Sequence, residues 1–146
     1  MKKILFIIMS VCTLFTACKI DEPDKDLKRV IFDPGNLKLI SASLNTTKKT
    51  SSALYGNQEA QQSLTGENYP PKPNSEFKLV TWKYHENPQY IGGTINGELL
   101  SIETFKSDKN GNISYTIQNS SEKEKFQPNK EERIKYIMSY KPVIRP

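Results

Sequence analysis

The sequence predicts an α+β fold: an antiparallel β-meander sheet with a short helix and a C-terminal helix packed on it. Three features indicate this fold, namely an apolar strand over Phe77–Tyr84, closely spaced turn signals after it, and a capped amphipathic segment near the end of the chain. Antiparallel strands are joined by tight hairpins, whereas parallel strands need long crossovers. The short spacing between turns therefore favours a meander.

The N-terminal part of the domain predicts two short strands. Arg29–Phe32 and Leu37–Leu44 lie on either side of Asp33–Asn36, whose Asp, Pro, Gly and Asn are typical of a tight turn. Asn45–Ser52 consists of Asn, Thr, Lys and Ser, and it is predicted to be a loop.

The later strands form the meander. After Phe77–Tyr84, the segments Tyr90–Ile95 and Leu99–Phe105 are predicted to pair as a hairpin around Asn96-Gly97, because Asn-Gly is a strong hairpin signal. Ile113–Gln118 is predicted to be the last strand.

A turn is predicted between the last two strands. Asp108, Asn110 and Asn112 have the spacing that opens a calcium loop, but Ile113 and Asn119 stand where such a loop needs glycine and glutamate. A hairpin turn is therefore the better interpretation.

Two helices are predicted from their capping residues. Gln58–Leu64 follows Asn57, a suitable N-cap, and precedes Gly66. The C-terminal helix follows Asn129 and has an apolar stripe made of Ile134, Ile137 and Met138. Tyr69–Asn74 contains three prolines and is predicted to be an extended crossing between elements.

The N-terminus has the pattern of an export signal. Met1-Lys2-Lys3 precedes the apolar run Ile4–Phe15, which is shorter than the about 20 residues that a membrane span needs. Thr16-Ala17-Cys18 resembles a lipobox, where a lipoprotein signal peptide is cut before a lipid-modified cysteine. We predict a signal peptide in residues 1–17, a lipidated tether in residues 18–27 and a single β-rich domain in residues 28–146.

Cys18 is predicted to carry the lipid that attaches the protein to a membrane. The other cysteine, Cys12, lies within the predicted signal peptide, so Cys18 would have no disulfide partner after cleavage. The alternative is an ordinary secretory signal with Cys18 as a free thiol.

The tether begins with a lysine followed by acids: Lys19, Asp21, Glu22 and Asp24. This order resembles the export tag that sends lipoproteins to the outer face of some Gram-negative outer membranes. It predicts an outer membrane lipoprotein exposed on the cell surface. The alternative is a plain charged linker on a protein that faces the periplasm.

Composition excludes several kinds of site. Loss of residues 1–17 removes two lysines and no acids, which lowers the net charge from +5 to +3. The remaining cations form no basic stripe with stacking aromatics, so nucleic acid is not an expected partner. With a single histidine and one cysteine after residue 17, the chain provides no Cys/His zinc site, and no metal is predicted.

Six short segments, taken in order, resemble the cytochrome P-460 family. They are Ala53–Ala60, Tyr69–Pro71, Leu79–Lys83, Asn87–Gly93, Ile95–Gly97 and Arg133–Ser139. Family members carry a similar series, in which Tyr-Gly-Asn, Tyr-Pro and Val-Thr-Trp precede an Asp-Pro-x-Trp-Phe-Gly-like stretch and a closing helix. The resemblance implies an antiparallel sheet with packed helices, in a fold that often forms homodimers.

The better-known members of that family are periplasmic haem proteins that oxidise small nitrogen compounds. This chain lacks the Cys-x-x-Cys-His motif that attaches c-type haem, and Tyr90 and Ile91 stand where the family has Trp and Phe. The resemblance therefore implies the fold more than the reaction. No cofactor is expected, and haem held non-covalently is the alternative.

Four residues are candidates for a binding pocket: Tyr69, Trp82, His85 and Tyr90. Pockets combine apolar and aromatic surface with a few polar groups, and His85 could act as an axial ligand or a general base. The aromatic residues are equally typical of a core, and His85 of an exposed loop. No catalytic residue is predicted, because no acid or nucleophile stands at an informative spacing from His85.

These features favour a non-catalytic, membrane-anchored lipoprotein whose β-rich domain binds a small ligand or an envelope protein. The missing haem motif and the single histidine favour this hypothesis over an enzyme. Two alternatives stay open: a redox protein that holds haem non-covalently, and a structural envelope protein.

Overall fold

Five antiparallel strands form one sheet in the order β1-β2-β3-β4-β5, so each strand pairs with its neighbour in sequence. A computed structural model of the chain describes residues 32–66, 69–87, 89–119 and 129–143. The strands are β1 (Lys38–Asn45), β2 (Thr50–Gly56), β3 (Glu76–Glu86), β4 (Thr94–Ser107) and β5 (Ile113–Asn119). Two helices, α1 (Gln58–Thr65) and α2 (Lys130–Met138), complete the α+β meander that the sequence predicts.

The core lies between the two helices and one face of the sheet, which we call the helix-covered face. Because side chains alternate along a strand, every second residue of the central strands points to this face. The sheet contributes Leu54, Phe77, Leu79 and Phe105, and the helices contribute Ala60, Leu64, Ile134 and Ile137. Phe77 and Phe105 pair across β3 and β4 and stack with ring centroids 5.1 Å apart.

β2 occupies part of the segment predicted to be a loop. Only residues 46–49 form the turn, whereas Thr50 and the residues after it pair with β1 on one side and β3 on the other. The hydroxyl oxygens of Ser52 and Thr81 lie 3.0 Å apart across the β2–β3 pair. Pairing on both sides therefore outweighs the polar composition of this strand.

β4 is a continuous strand of 14 residues, so the hairpin predicted at Asn96-Gly97 is wrong. The turn between β3 and β4 lies at residues 87–93, where Asn87 N–H donates to the Gly93 carbonyl over 2.8 Å and Gly92 has a φ of +81°. The strand predicted from Tyr90 therefore starts only at Thr94.

Irregular pairing explains how β4 accommodates the Asn-Gly pair. Trp82 pairs with Leu99 and Tyr84 with Asn96, so two residues of β4 lie opposite Lys83. A β-bulge of this kind adds a residue to one strand without ending it, and glycine within a strand often marks one.

Both predicted turns outside the central hairpin are present. Gly35 in the first turn has a φ of +65° and donates its N–H to the Asp33 carboxylate. In the second turn, the Asp108 carboxylate accepts from the backbone N–H groups of Asn110 and Asn112, each over 2.8 Å. Of the strand predicted over Arg29–Phe32, only Phe32 is described, and it lies outside the strands.

Both predicted N-caps are confirmed. Asn57 accepts from Ala60 N–H over 3.0 Å at the start of α1, and Asn129 accepts from Glu131 N–H over 3.0 Å at the start of α2. After α2, the segment Tyr140–Val143 runs beside β1, where Val143 N–H donates to the Ile40 carbonyl over 2.8 Å. We call this stretch the C-terminal segment.

Candidate functional site

The four predicted pocket residues lie in different environments. Trp82 is only 6% exposed in the middle of the sheet, and His85 near the end of β3 is half-buried. Tyr69, before β3, is 57% exposed, and Tyr90, in the β3–β4 turn, is 69% exposed. The structure therefore separates a buried tryptophan from two surface tyrosines.

Trp82 and His85 lie on opposite sides of β3. Phe77 and Leu79 point to the helix-covered face, and β3 pairs with β2 without irregularity from Phe77 to Lys83. Alternation along the strand therefore places His85 on the side of Phe77, and Trp82 on the opposite face of the sheet. A single pocket on one face does not combine these two side chains.

A groove lies beside Trp82, and we call it the Trp82 groove. Its volume is about 330 Å³, and it is lined by Ala42, Ser43, Leu44, Ser51, Ser52, Ala53, Trp82 and Asn96. Ala42 and Ala53 are cross-strand partners in β1 and β2, and their small side chains leave a depression next to the indole. The groove is mostly apolar because Leu44 and Trp82 are its two largest side chains.

One polar pair lies at the groove. The Ser51 hydroxyl of β2 donates to the Asn96 side-chain carbonyl of β4 over 2.6 Å, across the intervening strand β3. This bond uses the serine proton and fixes the orientation of the amide. The groove thus combines apolar surface with an oriented amide and with serine hydroxyls that are already hydrogen-bonded.

An aromatic cluster adjoins the groove. Phe32 packs against Tyr55 with centroids 5.4 Å apart and against the edge of Trp82 at 6.5 Å. Aromatic pairs with tilted or T-shaped geometry contribute about 0.5–1.5 kcal/mol beyond their buried area. Phe32 therefore helps to hold Trp82 in place on this face.

A second groove, of about 500 Å³, follows α1 and is lined by Gln58, Gln61, Gln62, Thr65, Gly66 and Lys72. Its lining side chains are glutamines, a threonine and a lysine, and the Lys72 ammonium already donates to the Gln62 side chain over 2.9 Å. The smaller Trp82 groove is the better candidate, because an aromatic and an aliphatic side chain line it, as is typical of ligand sites.

A buried ion pair joins α2 to the sheet. Glu103 of β4 is 2% exposed on the helix-covered face, and its two oxygens accept from Arg133 Nε over 2.9 Å and from Nη2 over 2.6 Å. Tyr115 donates to the same carboxylate over 2.6 Å. Burial, together with the Glu103 carboxylate, raises the pKa of Tyr115 above its usual range.

This ion pair is not among the features predicted from the sequence. Glu103 is two residues from Phe105 in β4, so both side chains point to the same face of the sheet. An acid at such an inward-facing position indicates a buried partner of opposite charge. Its partner, Arg133, lies 30 positions further along the chain, and the sequence pattern alone does not connect the two.

Further tyrosines extend this polar contact towards β1. The Arg133 guanidinium lies 4.5 Å from the Tyr136 ring centroid, and the Tyr136 and Tyr140 hydroxyls are 3.1 Å apart. The Tyr140 hydroxyl lies 2.9 Å from Ser43 Oγ. Burial raises the pKa of Tyr140 to about 12. Since Arg133 is tied to a buried carboxylate, we interpret this network as structural.

The predicted anchor lies outside the described residues. This applies to Cys18 and to the predicted export tag of Lys19, Asp21, Glu22 and Asp24. No helix within the described ranges is long and apolar enough to cross a membrane. The same ranges contain no group of three or more His, Cys, Asp or Glu side chains that could hold a metal ion.

Neither a scan against protein-family models nor a search of the curated proteins finds a match for this chain.

Proposed function

We propose that this chain is a membrane-anchored lipoprotein whose domain, residues 28–146, binds a small, largely apolar ligand in the Trp82 groove. The observation that carries the proposal is the groove itself, where the side chains of Ala42 and Ala53 leave about 330 Å³ beside a well-packed tryptophan. Ligand sites typically occupy roughly 300–1,000 Å³ and combine apolar walls with few polar groups. The proposed role is binding, without catalysis.

The size of the groove favours a small ligand. A volume of about 330 Å³ lies at the lower end of the range for ligand sites, which is roughly 300–1,000 Å³. We use single aromatic rings with a short substituent as probes of this size class.

Haem, the cofactor that the family resemblance implies, does not fit this arrangement. The groove, at the lower end of the size range for ligand sites, is too small to enclose a porphyrin. The single histidine, His85, also projects from the opposite side of β3. A haem ligated by His85 would therefore not contact the Trp82 groove.

Ligand binding can be tested with Trp82 as the reporter, because it is the only tryptophan of the chain. Isopropylbenzene is added to the full protein while the indole N–H resonance of Trp82 is followed by NMR. We expect a saturable shift in the wild type. Ala53→Leu fills the depression and should weaken binding at least tenfold, since the probe and the new side chain compete for the same volume.

Gln61→Leu provides the matched control, because it adds an apolar side chain to the second groove. It should leave the affinity for isopropylbenzene unchanged. A wild-type protein with no saturable shift would contradict the binding proposal, as would equal affinities in the wild type and Ala53→Leu.

The anchor is tested separately in the native host. Cys18→Ala should abolish acyl labelling and release the protein from the membrane fraction. Replacing Asp21, Glu22 and Asp24 with serine should make the protein inaccessible to external protease if these acids direct surface display. Continued acylation of the Cys18→Ala protein would contradict the lipoprotein proposal, and unchanged protease accessibility would contradict the export tag.

A further inference from the structure

The orientation of the Asn96 amide determines which ligand chemistry the Trp82 groove can satisfy. The amide oxygen accepts the Ser51 hydroxyl proton over 2.6 Å, which places its carbonyl towards β2. Among the residues that the structure describes, none accepts a hydrogen bond from Asn96 Nδ2. The amide therefore offers its two N–H donors at the rim of a groove whose serine hydroxyls, those of Ser43, Ser51 and Ser52, are already hydrogen-bonded.

We propose that the ligand of the Trp82 groove is a small apolar molecule with a hydrogen-bond acceptor, such as a carbonyl or ether oxygen, that binds Asn96 Nδ2. This inference rests on the proposed function and specifies its ligand class. Asn96 contacts the ligand directly, and Ser51 is a positioning residue that acts through Asn96.

The backbone supports this role for Asn96. Asn96 lies in β4 opposite Tyr84, next to the β-bulge that β4 forms opposite Lys83. Ser51 lies in β2 opposite Trp82. The side-chain bond between them therefore spans β3 beside Trp82.

The test compares two probes of the same size and shape. Acetophenone carries a carbonyl acceptor next to its ring, whereas isopropylbenzene has the same number of non-hydrogen atoms and no acceptor. Both are titrated into the full protein, and the Trp82 indole resonance reports binding of either one. One neutral hydrogen bond should favour acetophenone by roughly three- to tenfold in affinity.

Two variants test whether the preference for acetophenone depends on Asn96 and Ser51. Asn96→Leu keeps a side chain of similar size without donors and should bind both probes equally. Ser51→Ala leaves the amide unrestrained and should reduce the preference for acetophenone over isopropylbenzene. The Asn96 side-chain amide resonances should shift with acetophenone and stay in place with isopropylbenzene.

The outcomes separate this inference from the proposal on which it rests. If neither probe binds the wild type, the Trp82 groove is not a ligand site and both ideas fail. If the wild type binds both probes equally, or if Asn96→Leu retains the preference, the groove binds apolar molecules and the role of Asn96 is overturned.

Discussion

Arg133 binds both carboxylate oxygens of Glu103, through Nε over 2.9 Å and through Nη2 over 2.6 Å. The carboxylate is buried on the helix-covered face, whereas the arginine side chain retains 23% exposure. This bidentate contact is a direct side-chain bond between α2 and β4. It fixes the helix against the sheet with a geometry that a lysine would not reproduce.

Removal of Arg133 should strongly destabilise the protein. Arg133→Met leaves the Glu103 carboxylate buried without its cation, which costs about 3–5 kcal/mol in the free energy of unfolding. Urea denaturation measures this loss. The double variant Glu103→Leu with Arg133→Met should be less destabilised than Arg133→Met alone, because no buried charge is left unpaired. Additive losses in the double variant would contradict this explanation.

Stability should fall at alkaline pH. Burial raises the pKa of Tyr140 to about 12 and also raises that of Tyr115, whereas an unfolded tyrosine titrates near 10. The folded state therefore holds these protons more tightly, and its advantage is complete below about pH 10 and is lost as the pH rises through the folded pKa values. Urea midpoints measured from pH 8 to 12 check this.

Phenylalanine variants show which tyrosines cause the loss of stability at alkaline pH. Tyr115→Phe and Tyr140→Phe should each flatten the decline in stability above pH 10, although Tyr115→Phe also loses its bond to Glu103. Tyr69→Phe is the matched control, since Tyr69 is exposed. An equal decline in all three variants would assign the pH dependence to other groups.

Asn57 should contribute more to stability than an ordinary helix cap. Its side-chain oxygen accepts from Ala60 N–H and Glu76 N–H over 3.0 and 3.1 Å, and its side-chain amide nitrogen donates to the Asn74 backbone carbonyl over 2.7 Å. Asn57→Ala should therefore cost about 2–3 kcal/mol. The matched control is Asn129→Ala, which removes one capping bond and should cost about 1 kcal/mol. Equal losses in the free energy of unfolding, measured by heat or urea, would show that the bonds to Asn74 and Glu76 add no stability.

Gly56 should not tolerate a side chain. An added Cβ would lie 2.6 Å from Ile40 Cδ1, 2.8 Å from Ala60 Cβ and 2.9 Å from the Glu76 carbonyl oxygen. Gly56→Ala should cost about 2–3 kcal/mol through overpacking where α1 meets the sheet. Gly111→Ala adds no contact within 4 Å and is strained only by its φ of +83°, so about 1 kcal/mol is expected. Calorimetry should show the larger loss for Gly56.

Local signals made much of the fold predictable. The alternation of Phe77 and Leu79, and the capping positions of Asn57 and Asn129, depend on residues close in sequence. β2 was harder, because the pairing of Ser51 and Ser52 with β3 depends on partners about 30 positions away. The hairpin predicted at Asn96-Gly97 is wrong because the chain already reverses between Asn87 and Gly93. Asn96 and Gly97 instead lie within β4, at a β-bulge.

The candidate site was predictable only in part. Trp82 was identified by its aromatic character, but the groove beside it depends on the small size of Ala42 and Ala53. A depression of this kind becomes visible only when the register places two small residues side by side, as it does between β1 and β2. The sequence also predicts Asn96 to lie in a turn. Its hydrogen bond to Ser51 could not be predicted, because only the folded sheet brings β2 and β4 close together.

The C-terminal segment sets the order in which this domain can be completed during synthesis. Ile40 lies in β1, and its carbonyl accepts from the Val143 N–H. This hydrogen bond to the edge of β1 can form only after about a hundred further residues have been made. Exposed strand edges recruit other chains. A nascent or prematurely terminated chain with β1 to β5 formed would therefore lack the contact that the C-terminal segment makes with the edge of β1.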